Sequence, residues 1–263
     1  MVRRPLGNHH HGPDTLLVTS DTATQTDPVA EQTESLRKLI KSARFVLFDF
    51  DGPICRLFAG HSAEDVAQEL VAWIEGMGLR ELLTADERVN PDPHVVVRAV
   101  DRRRPASDLV FELERRLTQH ELKAVATAMP TAYADPLIRT WAAVGARLAI
   151  TTNNSARVAD RYLRTRGLTE CFAPHIYGRT QDLTLMKPNP HCLNRALNAM
   201  GADPSQALMI GDAPSDFEAA EEAGVAFLGY ARNDRKEQSL RASGAAYTVS
   251  SLEQVLRLLR PAG

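Results

Sequence analysis

The stretch LFDFDGPIC at residues 47–55 sets Asp49 and Asp51 one residue apart, at the end of an apolar run and directly before a glycine and a proline. A second acidic pair, Asp212 and Asp216, stands in GDAPSD at 211–216, which continues the apolar run ALMI. TTN at 151–153 closes a third such run, and LMKPNP at 185–190 carries Lys187 beside a proline. Three or more carboxylates brought into one crevice repel one another, so they take up protons or demand a cation. Carboxylates without sulfur or clustered imidazole suit a hard, oxygen-loving cation such as Mg²⁺, and Mg²⁺ in turn favours a phosphorylated substrate.

These groups meet only if the elements that carry them lie side by side. FVLFDF (45–50), ARLAITT (146–152), ALMIGD (207–212) and VAFLGY (225–230) are short, β-rich apolar runs that suit strands covered on both faces, and HIYG (175–178) is a further short strand. SARVADRYLRTRG, PHCLNRALNAMG and PSDFEAAEEAG supply helical patterns between them. Alternation of this kind predicts a doubly wound α/β fold, a parallel sheet with helices on both faces, because parallel neighbours need a crossover connection. In such sheets the ligand crevice opens beyond the carboxyl ends of the strands. Asp49, Asp51, Thr151, Thr152 and Asp212 all stand at such ends, so they converge.

One interval breaks the rhythm. Residues 57–133 hold no convincing strand and are too long for a loop. Val66, Leu70, Trp73 and Met77 recur near helical spacing, as do Leu109, Leu113 and Leu117, and we read both stripes as core packing within a small helical cap. The expected layout is a disordered tail at 1–34, an α/β core from 35–56 and 134–263, and a helical cap at 57–133. The tail is rich in Thr, Asp, His and Pro, and its three histidines, His9 to His11, have nothing around them to fix a metal.

The chain has 263 residues, 31 Lys+Arg against 33 Asp+Glu, and 44% apolar residues, enough for a substantial core. Its near-neutral, mixed charge argues against nucleic acid as a partner. No run approaches the roughly 18 apolar residues that span a membrane. Cys55, Cys171 and Cys192 are widely spaced with no metal-binding pattern, and read as reduced thiols of a cytoplasmic protein.

Taken in order, DFDG, TTN, the lysine of LMKPNP and GDAPSD resemble the four motifs of the haloacid dehalogenase superfamily in its phosphatase branch, with the helical insert where that superfamily carries a cap. The resemblance implies a Mg²⁺-dependent hydrolase that cleaves a small phosphorylated metabolite through an aspartyl-phosphate. It implies Asp49 as nucleophile, Asp51 as acid and base, Thr152 rather than Thr151 as a ligand of the phosphoryl oxygens, and Lys187 as the neutralising charge. Asp49, the main-chain carbonyl of Asp51, Asp212 and Asp216 would hold the metal, with Gly52 and Asn153 beside the phosphate. Pro53 departs from the pattern, which usually has threonine there. We expect Arg56, at the root of the cap, to contact a carboxylate or second phosphate of the substrate. A phosphomutase of the same superfamily, or a catalytically silent binding protein, are the competing expectations.

Overall fold

The computed structural model describes residues 28–260. Most of the expected tail, with His9 to His11, lies outside these residues, but 28–34 belong to a first helix, α1 (Pro28–Ser42). Eight strands follow among the described residues: β1 (Phe45–Phe48), β2 (Cys55–Arg56), β3 (Met129–Pro130), β4 (Arg147–Ser155), β5 (Ile176–Arg179), β6 (Ala207–Gly211), β7 (Ala226–Tyr230) and β8 (Thr248–Val249). Six of them form one sheet in the order β5-β4-β1-β6-β7-β8, parallel throughout. The order reverses at β1, whose neighbours β4 and β6 come later in the chain, and this is where a ligand crevice opens.

Side-chain alternation explains why these runs became central strands. Val46, Phe48, Leu148, Ile150, Leu208 and Ile210 point into one apolar cluster; Leu47, Ala149 and Met209 point into the cluster on the opposite face. Both sheet faces are dry, so every position of β1 after Phe45 is apolar and fully buried. Each such side chain contributes about 1.5–3 kcal/mol of transfer free energy. Phe48 meets Trp141 and Phe172 edge-on at centroid distances of 5.8 and 5.9 Å.

Between β2 and β3 the chain builds α2 (Ala63–Gly76), α3 (Ala85–Val89), α4 (Pro93–Arg103) and α5 (Asp108–Ala124). β2 and β3 pair antiparallel, a short ribbon at the root of the insert that the apolar pattern did not announce. α2, α4 and α5 pack around a cluster of their own, which includes Val66, Leu70, Val97, Leu113 and Leu117, while α3 buries no side chain in it. Two expectations fail in detail. Met77 is 48% exposed, because α2 ends at Gly76 and Val71 and Ile74 take the buried positions instead; Trp73 lies at the edge of the cluster beneath the Arg116 guanidinium.

The core continues through α6 (Ala134–Ala143), α7 (Ala156–Arg166), α8 (Thr169–Phe172), α9 (His191–Met200), α10 (Pro214–Glu222), α11 (Asp234–Ala242) and α12 (Leu252–Leu259). The three cysteines are free thiols. Among the described residues no helix is long and apolar enough to cross a membrane.

Candidate active site

Asp49 follows β1 and Asp212 follows β6, and the register that pairs Phe48 with Ile210 sets them side by side; the Asp49 amide donates to the Ile210 carbonyl at 2.9 Å. Asp216 lies in the first turn of α10, begun by Pro214. Carboxylate oxygens of Asp49, Asp212 and Asp216 all lie within 4.8 Å of one another. Lys187 is 1% exposed, and its Nζ donates to Asp49 Oδ1 at 2.9 Å, to the Thr151 carbonyl at 2.8 Å and pairs with Asp216 Oδ1 at 2.5 Å. Asp216 Oδ2 accepts from the amides of Asp212 and Ala213 at 3.0 and 3.1 Å. Both of its oxygens are therefore engaged.

Close packing at this point dictates two glycines. Gly52 has φ +123°, and a Cβ there would sit 2.4 Å from the Asp212 carboxylate; a Cβ on Gly211 would sit 2.4 Å from Asp216 Cβ. The Gly52 carbonyl accepts from the buried Thr131 hydroxyl at 2.5 Å, which ties the loop after β1 to the chain returning from the insert. The turn at Pro53 closes through the amides of Ile54 and Cys55 onto the Phe50 carbonyl, so its closure draws on no amide at position 53. Asp51 Oδ1 accepts from the Leu57 amide at 2.8 Å.

Burial raises the pKa of Asp49 to about 6 against the pull of Lys187, with Asp216 and Asp212 adding to the rise. Burial likewise lifts Asp51 to about 6, only partly offset by its bond from Leu57. Asp212 is raised to about 6 by burial in spite of Lys236, whose Nζ lies 2.5 Å from Asp212 Oδ2. Burial opposes the charge on Lys187, but Asp216 and Asp49 outweigh it and hold the ammonium above its ordinary range. The site thus gathers carboxylates that are costly to charge around two ammoniums, the buried Lys187 and the partly exposed Lys236.

A cavity of ≈ 460 Å³ opens over this cluster, lined by Asp49, Asp51, Gly52, Asn153, Lys187, Asp212 and Asp216 among others. Seven of the residues singled out in the sequence are thereby brought together. Asn153 is bound to Lys187 twice, its Oδ1 accepting from the Lys187 amide at 2.8 Å and its Nδ2 donating to the Lys187 carbonyl at 3.1 Å. Thr151 points its hydroxyl into the core at Met209 Sδ. The hydroxyl of Thr152, 1% exposed, is turned onto Asn154, accepting from its amide at 3.1 Å and donating to its Oδ1 at 3.2 Å. Thr152 is not among the residues that line this cavity. Neither is Arg56, which lines an adjoining cavity and lays its guanidinium against Met129 Sδ at 3.1 Å.

Several residues were not found from the sequence. His94 lines the site from the first turn of α4, where Asp92 caps the helix at the His94 amide (2.9 Å) and also holds His94 Nδ1 at 3.1 Å. Arg179, at the carboxyl end of β5, is wholly buried and bonds Glu121 Oε1 at 2.8 Å, Glu114 Oε1 at 3.0 Å, Thr118 Oγ1 at 2.8 Å and the Asn153 carbonyl at 2.9 Å. Glu121, also wholly buried, accepts in addition from Asn154 Nδ2 at 3.0 Å and the Ser155 amide at 3.1 Å. His94 Nε2 lies 3.3 Å from Arg179 Nη1 and 3.6 Å from Glu121 Oε1. This ion cluster clamps α4 and α5 of the insert onto the end of β4. Its signal was present: Glu121 is the next step of the Leu113, Leu117 stripe, a carboxylate on an apolar face, and such a residue is buried only with a partner.

The model of the haloacid dehalogenase-like hydrolases matches residues 43–224, a span that runs from β1 through Asp49, Lys187, Asp212 and Asp216 to α10. The pyrophosphatase PpaX of Halalkalibacterium halodurans is 32% identical over 46% of this chain and 56% of its own length. A phosphoglycolate phosphatase of Rhodospirillum rubrum is 33% identical over 53% of this chain and 57% of its own. The chain thus spans little more than half the length of these relatives. In fold it is similar to a predicted phosphatase from Clostridium acetobutylicum (TM-score 0.62, 17% identity, 82% of this chain and 97% of that one). The CbbY protein of Rhodobacter sphaeroides in complex with phosphate is comparably similar (TM-score 0.59, 20% identity, 82% and 99%). With the family model covering most of the chain and every motif of the site, the protein belongs to the haloacid dehalogenase-like hydrolases.

Proposed function

We propose that the protein is a Mg²⁺-dependent phosphatase that hydrolyses a small phosphate monoester through an aspartyl-phosphate on Asp49. The observation that carries this reading is the buried Asp49 carboxylate, held 2.9 Å from an ammonium and within 4.8 Å of two further carboxylates at the crevice. The phosphatases among the relatives support it, since both act on phosphate compounds by name.

The donor set fits Mg²⁺, for it offers oxygens alone. Asp49 and Asp212, with the main-chain carbonyl of Asp51, would hold the ion; Asp216, with one oxygen on two amides and the other on Lys187, orients the set. An ion bound there would supply positive charge against the negative charge of the phosphoryl group. The Asp49 carboxylate attacks phosphorus, forming the Asp49–phosphorus bond as the bond to the leaving oxygen breaks. Asp51, whose pKa of about 6 keeps a useful protonated fraction near neutrality, gives its proton to that oxygen. Asp51 then takes a proton from water, which attacks phosphorus, releases phosphate and restores Asp49. Lys187 balances negative charge throughout, and Asn153 holds the Lys187 main chain in register with the end of β4. Thr152 shapes that turn through Asn154.

The test is release of phosphate from p-nitrophenyl phosphate with and without Mg²⁺. Wild type should turn over only with the ion, and Asp49→Asn should lose several orders of magnitude while its unfolding transition stays cooperative. Near-wild-type turnover by the folded Asp49→Asn protein would remove Asp49 as nucleophile.

A further inference from the structure

Four cationic side chains line the site cavity: His94, Lys187, Arg232 and Lys236. Lys187 is paired with Asp49 and Asp216, Lys236 with Asp212, and His94 with Asp92. Arg232 alone has no hydrogen bond and no carboxylate partner among the described residues. Its position is nevertheless firm. It stands just past β7, between Ala231, whose amide donates to the Val249 carbonyl at 2.8 Å, and Asn233, whose side chain caps α11 at the Lys236 amide at 3.0 Å. An exposed guanidinium on a fixed root, at the rim of a site already rich in ion pairs, is a binding group waiting for an anion.

Arg232 also lines the adjoining cavity of ≈ 670 Å³, which shares Asp51, Phe58, Ala63 and Pro91 with the first. Of the carboxylates in the site, Asp51 is the one that faces both cavities, and Asp51 is the group that protonates the leaving oxygen. The leaving group therefore departs on the side where Arg232 stands. Arg56 faces the same cavity with no carboxylate partner, its guanidinium resting on a thioether. Glu64 and Asp65, in the first turn of α2, line the outer cavity but not the site cavity. They would repel an anion carried far toward α2, which keeps the anionic group short and near the shared wall.

We infer that the substrate is a phosphate monoester whose short leaving group carries a second anionic group, a carboxylate or another phosphate, and that Arg232 pairs with it across the wall shared by the two cavities. This rests on the phosphatase reading of the same site. It makes Arg232 the residue that discriminates among leaving groups, with Arg56 adding a second positive charge to the field.

The experiment compares kcat/KM for three esters of similar size: 2-phosphoglycolate, a short alkyl bisphosphate and 2-hydroxyethyl phosphate, whose leaving group is neutral. Wild type should prefer one of the two anionic leaving groups over the neutral one by about 10- to 100-fold, the factor a charge-assisted hydrogen bond contributes. The preferred anion identifies the chemistry. Arg232→Ala should bring that ratio close to one, Arg232→Lys should restore part of it, and Arg232→Glu should invert it, with unfolding midpoints unchanged because the side chain is exposed. A wild-type ratio near one, or a ratio that survives Arg232→Ala, would overturn the inference while leaving the phosphatase reading in place. Failure of wild type to hydrolyse any of the esters or p-nitrophenyl phosphate with Mg²⁺ would overturn that reading and the inference with it.

Discussion

Replacing Glu121 by alanine should be among the most damaging changes outside the reacting groups, although the residue touches no substrate in the proposed reaction. The carboxylate is wholly buried and bonds Arg179, Asn154 Nδ2 and the Ser155 amide. Its loss leaves the buried guanidinium with Glu114, which is itself 23% exposed on its side chain, and strips two further donors of their acceptor. Breaking one half of a buried pair costs about 3–5 kcal/mol. For a domain of this size that lowers the unfolding midpoint by about 6–20 °C, at about 2–4 °C per kcal/mol. Glu121→Gln keeps an acceptor and the shape, so it should lose less. Arg179→Met with Glu121→Leu should be less damaging than the two single losses added, by about 1–3 kcal/mol, because no charge is stranded. The pair also has a pH signature. Burial would raise the Glu121 pKa, but Arg179 outweighs it and holds the carboxyl at about 2, below its ordinary 4.5. Between those values the native state binds fewer protons than the unfolded one, so the stabilisation is complete above about pH 4.5 and is lost as pH falls through about 2. The assay is thermal unfolding, from pH 3 to 8, of wild type, Glu121→Ala, Glu121→Gln, the single variants Arg179→Met and Glu121→Leu, and their double. A midpoint drop under about 3 °C for Glu121→Ala at pH 7, or one that does not shrink at pH 3, would refute the argument.

Asp212→Ala should raise the Mg²⁺ concentration for half-maximal turnover at least about tenfold, and excess chelator should silence wild type; a metal titration reads both. Gly52→Ala places a methyl 2.4 Å from the Asp212 carboxylate at φ +123°, so turnover should fall about 100-fold or more, with about 1–3 kcal/mol of stability, measured by kinetics and urea unfolding. His94 should give stability that fades in alkali: burial lowers its pKa, but Asp92 and Glu121 outweigh burial and Arg179 and raise it to about 9. That contribution is full below about 6.5 and lost as pH rises through about 9, so the unfolding midpoint of wild type should fall more steeply across that window than that of His94→Gln.

The sheet was legible because its strands are covered on both faces, which turns them into unbroken apolar runs that periodicity reads directly; Phe45–Phe48 and Ala207–Gly211 lie inside the runs found that way. Their boundaries were less so. β4 continues to Ser155, past the last apolar residue, because hydrogen bonds to β5 and to Glu121 carry it on, and no local pattern records those. The first turns of α1, within 28–34, are hidden for a related reason: α1 packs its apolar stripe against the core through Leu36, Leu39 and Ile40, and the chain before that stripe is too polar to show a period.

At the site the division is sharper. Strand ends by themselves determined that Asp49, Asp51 and Asp212 meet, since a parallel sheet sends every carboxyl end to one rim, whereas Lys187 and Asp216, off the strands, joined them only through the family resemblance. Which oxygen faces which partner was decided only in three dimensions, where Asp216 turns onto two amides and Lys187, and Thr152 onto Asn154. The same holds for Arg179, Glu121 and His94, distant in sequence and unremarkable one by one. Burying a charge is tolerable only beside its opposite, and nothing local tells the chain which charge that will be until the insert folds back over the end of β4.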